Sequence, residues 1–107
     1  MKRFGQVIRI KPEGKETYKR YHKEPWPEVN QRLKKSHIRN YSIYLKDDLL
    51  FAYFEYTGED YEKDMKELAA DPAIQKWWEI MIPLLEPLAT RKEGELWADM
   101  EEVYHLD

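Results

Sequence analysis

The chain contains no cysteine. Disulfides, thiolate nucleophiles and cysteine-held metals are therefore excluded, in agreement with a cytoplasmic protein. Its only histidines, His22, His37 and His105, are scattered. No two stand at H-x-x-x-H spacing, and the abundant acids have no ligand spacing, so no metal site is expected. The glycines Gly5, Gly14, Gly58 and Gly94 are isolated and offer no phosphate-cradling loop. Ser36 and Ser42 lie in no nucleophilic triad motif. No apolar run is long enough to span a bilayer, and Met1-Lys2-Arg3-Phe4 leads into alternating sequence without an apolar signal region. An excess of one charge is missing too. Charged residues make up 36% of the chain, yet the net charge is only −3, which describes a solvated surface and gives no reason to expect nucleic acid or a membrane as partner. The 107 residues fit one domain, residues 1–107, which can bury about two-thirds of its unfolded surface without staples.

Aromatic residues are plentiful by contrast, with four Trp and eight Tyr. That is more amphipathic ring surface than one small core needs, and surplus rings line pockets or interfaces. The stretch Tyr18 to Glu28, Y-K-R-Y-H-K-E-P-W-P-E, concentrates them. It begins as helix, so Tyr18 and His22, four apart, share a face. Pro25 and Pro27 then interrupt it and hold Trp26 between them on a stiff backbone. A phenol, an imidazole and an indole around a rigid corner suit a small polyhydroxylated ligand: an apolar ring face, a hydrogen bond, and a group that exchanges protons near neutral pH. The same three residues also suit a core lining.

Phe4 to Ile10 alternates as a strand, with Phe4, Ile8 and Ile10 on one side. The helix of Tyr18 and His22 follows, then a second helical run opening with Pro27 at its first turn. Ile38 to Leu45 predicts a second strand, with Ile38, Asn40, Ser42 and Tyr44 on one face and Arg39, Tyr41, Ile43 and Leu45 on the other. Lys46-Asp47-Asp48 turns the chain into a third strand, Leu49 to Tyr56, making a hairpin. A helix runs near Tyr61 to Ala70. Asp71 and Pro72, as N-cap and first helical residue, open another. That last helix carries Trp77 and Trp78, which point about 100° apart: one can enter the core while the other faces a groove, or both can be core. Pro83 to Gly94 reads as irregular, and Met100 to Leu106 as a closing strand.

This order, β-α-β-β-α-β, is the split βαβ of an α+β, ferredoxin-like fold, an antiparallel sheet with helices on one face. The third strand is apolar on both sides, so the uncovered face needs a second layer, most simply another copy of the chain.

Tyr18-x-x-x-His22, Trp26-Pro27-Glu28, Asn40-Tyr41-Ser42-Ile43-Tyr44-Leu45, Leu49-Leu50-Phe51-Ala52, Gln75-Lys76-Trp77-Trp78 and Glu102-Val103-Tyr104-His105-Leu106 resemble, in that order, the L-rhamnose mutarotase family. The resemblance covers nearly the whole chain. It implies a cytoplasmic homodimer of the dimeric α+β barrel type, interconverting the α and β anomers of L-rhamnopyranose without cofactor. It places the family's catalytic histidine, a proton donor, on His22, and substrate contacts on Tyr18, Tyr41, Trp77 and Trp78. Lys23-Glu24-Pro25 departs from the family's Asn-Pro-aliphatic run, and the segment before the closing strand diverges, which leaves the pocket rim and the exact sugar open. The complementary base is open between a tyrosine, an acid and water. Two other functions compete: a cofactor-free or haem-degrading monooxygenase, by fold analogy alone, and a non-enzymatic sugar-sensing dimer module. A Soret band on mixing with haem would favour the first, and anomer exchange unchanged by the protein the second.

Overall fold

A computed structural model describes residues 1–107. Strand β1 (Lys2–Ile10) leads through a short 3-10 turn into helix α1 (Lys15–Lys23). Helix α2 (Pro27–Lys35) follows the double-proline corner, its Pro27 at the first turn, where a missing N–H leaves nothing unpaired. Strands β2 (Ile38–Lys46) and β3 (Leu49–Tyr56) form the hairpin, with Asp47 at φ 55 in the turn. Helices α3 (Tyr61–Ala69) and α4 (Pro72–Met81) come next. Asp60 caps α3 by accepting the Lys63 N–H, and Asp71 caps α4 by accepting those of Ala73 and Ile74, each satisfying amides that the helix leaves unpaired. Two short strands, β4 (Leu85–Glu86) and β5 (Ala98–Asp99), complete the chain.

The strands form one antiparallel sheet in the order β2-β3-β1-β4, with β5 also on β1. Four short helices lie over one face. The core forms there: Ile8, Ile10 and Leu50 from the sheet meet Tyr18, Val29, Leu68, Ile74, Trp77 and Met81 from the helices. Burial along β3 alternates without exception, its even-numbered residues buried and its odd-numbered ones half-exposed, as expected for a sheet with one covered face. No helix is long and apolar enough to cross a membrane.

Two expectations need correcting. Ile38 does not face away from Tyr41, Ile43 and Leu45. Arg39 pairs with Glu55 but Ser42 pairs with Tyr53, so β2 holds one residue more than β3 between these pairs. This β-bulge is absorbed at Asn40, whose φ is 50, in the left-handed region that Asn tolerates better than most residues. Ile38 and Tyr41 therefore both turn inward, while Asn40 donates outward to Glu55 Oε1 at 2.7 Å. The closing strand is also not Met100 to Leu106. Residues 85–86 and 98–99 share the edge of β1, so part of the proline-punctuated stretch after Pro83 is strand. The last ladder bond runs from Met100 N–H to Gly5 O at 2.8 Å. Beyond it the backbone has no partner within the chain, and only Glu102 returns, gripping Arg3 with both oxygens. His37, exposed just before β2, places its Nδ1 3.0 Å from the Asp64 carboxylate. That carboxylate also accepts from the Tyr56 hydroxyl and is held below the usual carboxylate range, first by Tyr56 and then by His37.

Candidate active site

The geometry of α1 sets the site. Residues four apart on a helix stack one above the other, and the Tyr18 and His22 rings lie nearly parallel with centroids 4.0 Å apart. Within the same turn, His22 Nδ1 lies 2.8 Å from the Tyr18 carbonyl oxygen. A carbonyl only accepts, so Nδ1 carries the proton, and the neutral ring presents its lone pair at Nε2. Burial pulls the His22 pKa down, and the bond to Tyr18 offsets this only in part. The side chain is thus neutral at neutral pH, in one tautomer, with Nε2 as the free nitrogen.

Behind the imidazole is an aromatic block. The Trp77 ring meets His22, Tyr21 and Trp26 edge to face, at centroid separations of 5.2, 5.8 and 5.2 Å. Trp26 reaches it because the prolines on either side hold its backbone extended, at φ −66 and ψ 129. Each such pair contributes about 0.5–1.5 kcal/mol beyond its area. The block fixes the direction of His22 through ring contacts.

Between the helices and the sheet lies a cavity of two lobes, about 360 and 460 Å³, which share His22, Tyr41, Ile43, Trp77 and Trp78. Its sheet wall follows from the register. Ala52 pairs with Gln6 on one side and Ile43 on the other, which puts Gln6 and Ile43 on the covered face, where both border the second lobe. The Asn40 bulge sends Tyr41 into this space. Tyr41 is 41% exposed, and the loss of water on its cavity side pushes its pKa up to about 12. Tyr18, in the core, is raised further by the same cause. Both phenols are therefore protonated throughout the physiological range.

All five residues singled out from the sequence border the cavity: Tyr18 the second lobe, His22, Tyr41, Trp77 and Trp78 both. The Trp doublet divides as its helical spacing implies. Trp77 is buried and belongs to the core, whereas Trp78 is 37% exposed at the rim. Sequence reasoning missed Gln6, Asn30 and Trp97, which also border it. Gln6 had a usable signal, a polar residue on the Phe4-Ile8-Ile10 face of β1. Its Nε2 donates to Asp99 Oδ1 at 2.9 Å, so its carbonyl oxygen remains free to accept. The lining contains no carboxylate. A neutral base, protonated phenols, amides and indole faces are what the cavity offers, which suits proton transfer on an uncharged, hydroxyl-rich molecule.

Comparison with known proteins agrees. Residues 3–106 match the family model for L-rhamnose mutarotase. The chain is 36% identical to an L-rhamnose mutarotase of Listeria monocytogenes over 99% of both chains. It is 34% identical to one from Bacillus subtilis over the full length of both. Among solved structures, an L-rhamnose mutarotase from Formosa agariphila superposes over the full length of both chains with a TM-score of 0.77 at 24% identity. The tetracenomycin F2 cyclase of Streptomyces glaucescens, a polyketide cyclase, does so at 0.71 and 17%. At those identities the two structures establish the shared fold.

Proposed function

The chain belongs to the L-rhamnose mutarotase family, and we propose that it carries out that family's reaction in the cavity between His22 and Tyr41. The activity is that of an isomerase, interconverting the α and β anomers of L-rhamnopyranose. Removing the proton of the anomeric hydroxyl while protonating the ring oxygen opens the hemiacetal to the aldehyde. The carbonyl rotates, and the ring closes on its other face. No other bond to carbon changes, so proton carriers and a pocket suffice, without cofactor.

The observation that carries the site assignment is the Nδ1 bond to the Tyr18 carbonyl, which leaves Nε2 of a neutral imidazole free beside the cavity. On opening, His22 takes the anomeric proton at Nε2. On closing, the imidazolium returns it, which is where the family's proton-donor role belongs. Trp78, and Trp77 where it borders the cavity, offer faces to the C–H patches of the sugar, and Tyr18 and Gln6 lie within the same lobe for its hydroxyls. Saturation of one anomeric proton of L-rhamnose should transfer to the other much faster with protein than without. A spectrum unchanged by the protein would overturn the function.

We also read the protein as a cytoplasmic homodimer. The uncovered face of the sheet bears Val7, Leu49, Phe51 and Tyr53, half-exposed, and Tyr44 at 67% exposure. Val103, Tyr104 and Leu106 of the C-terminal tail are at least three-quarters exposed. Two copies packed through these sheets would bury both sets and close two half-barrels into one barrel. Sedimentation at micromolar concentration should give twice the 13.1 kDa chain mass; a monomer would rule out the assembly.

A further inference from the structure

Opening the hemiacetal needs two proton carriers, one for each oxygen on the anomeric carbon, and His22 supplies one. The other must come from the same cavity. Its walls hold no aspartate or glutamate, and its amides and indoles do not exchange protons at neutral pH. Among its side chains only Tyr18 and Tyr41 remain to compete with water for this role.

The two differ in placement. Tyr18 lies on the same helical wall as His22, its ring stacked on the imidazole and its carbonyl engaged by Nδ1. It borders one lobe only and is 6% exposed, part of the packed core. Tyr41 stands on the sheet wall and borders both lobes, as His22 does. Its ring faces the cavity from the sheet side, and no protein group hydrogen-bonds its hydroxyl. A phenol bordering the cavity without a protein partner is free to bond a ligand there. Its direction is set by a left-handed residue and an extra residue in the strand, a distortion of the kind that re-aims a side chain at a functional site.

We propose that Tyr41 is a catalytic residue, the general acid that protonates the ring oxygen while His22 deprotonates the anomeric hydroxyl. The assignment rests on the mutarotase reading above. On opening, the O1–H proton passes to His22 Nε2, the electron pair of that bond forms the carbonyl, the C1–O5 bond breaks, and the Tyr41 proton goes to O5. On closing, O5 returns its proton to the Tyr41 oxygen and attacks C1, and His22 returns the other proton to O1. Both residues end as they began, so nothing beyond the sugar is consumed. The high phenol pKa keeps Tyr41 protonated between turnovers.

Three proteins decide the matter: wild type, Tyr41→Phe and Tyr18→Phe. Each is assayed for L-rhamnose anomer exchange by saturation transfer, and for sugar binding by indole emission. Tyr41→Phe is expected to lower kcat about 100-fold or more, within the usual range for one acid or base, with binding within a few-fold of wild type. Tyr18→Phe is expected to cost about tenfold or less, the worth of one hydrogen bond. Fluorinated tyrosines at position 41, which keep shape and hydroxyl but change the phenol pKa, should shift kcat progressively, an effect that a residue used only for binding would not produce. The proposal is overturned if active wild type is matched by a Tyr41→Phe variant with kcat near its own. It is equally overturned if Tyr18→Phe shows the larger loss, or if Tyr41→Phe loses rate only in step with binding. Wild type that exchanges nothing removes the mutarotase reading itself, and the proposal with it.

Discussion

His22→Asn should leave a folded protein that still binds L-rhamnose but has lost most of its anomer exchange, by roughly 10²–10⁴-fold. Asn keeps the size and polarity of the site, and its amide can replace the Nδ1 bond to the Tyr18 carbonyl. It cannot accept and return a proton at neutral pH. The loss should therefore appear in kcat, with the rhamnose-induced change in indole emission retained, because Trp77 and Trp78 are untouched. His37→Asn and His105→Asn serve as controls. Their imidazoles meet Asp64 and Asp107 outside the cavity, so exchange should stay near wild type in both. A folded His22→Asn protein with wild-type exchange would return that imidazole to a purely structural place beside Trp77.

Trp77→Ala should produce the largest loss of stability of any single change in the site. The ring is 7% exposed and meets three other aromatic side chains edge to face. Its removal leaves a cavity worth about 3–5 kcal/mol, against a total stability of about 5–15 kcal/mol for a domain of this kind. Thermal unfolding should then begin at least about 12 °C lower. Trp78→Ala, at the rim, should lower Tm by only a few degrees but weaken rhamnose binding. Trp77→Phe keeps most of the volume and should recover much of the stability, separating packing from recognition. Equal destabilisation by Trp77→Ala and Trp78→Ala would mean that both indoles are core, and the rim platform would be lost.

What the sequence made legible was local. Helix periodicity, Asp71-Pro72, the double proline and the β2–β3 hairpin each place their elements correctly. The stacking of Tyr18 on His22 and the divided roles of Trp77 and Trp78 follow from helical spacing alone. Strict alternation failed where one residue too many entered β2, because an inserted residue reverses every face beyond it. Asn40, tolerant of positive φ, was the one local sign. The alternating apolar residues of the tail resembled a strand, but a strand needs a ladder partner, and the edge of β1 is taken by residues 85–86 and 98–99. Gln6, Asn30 and Trp97 join the cavity from three separate segments, so only the assembled fold brings them together.

The most direct test of His22 as a neutral base is the pH dependence of anomer exchange in L-rhamnose, followed by saturation transfer. A base works only when unprotonated, and burial sets the His22 pKa below its ordinary value of about 6.5. Exchange catalysed by the wild type should therefore be level around neutral pH. It should fall only at more acid pH, as the imidazole takes up its proton, with that inflection absent in His22→Asn. Exchange that grows as pH drops through the same range would show the imidazolium to be the working form, and would contradict the account.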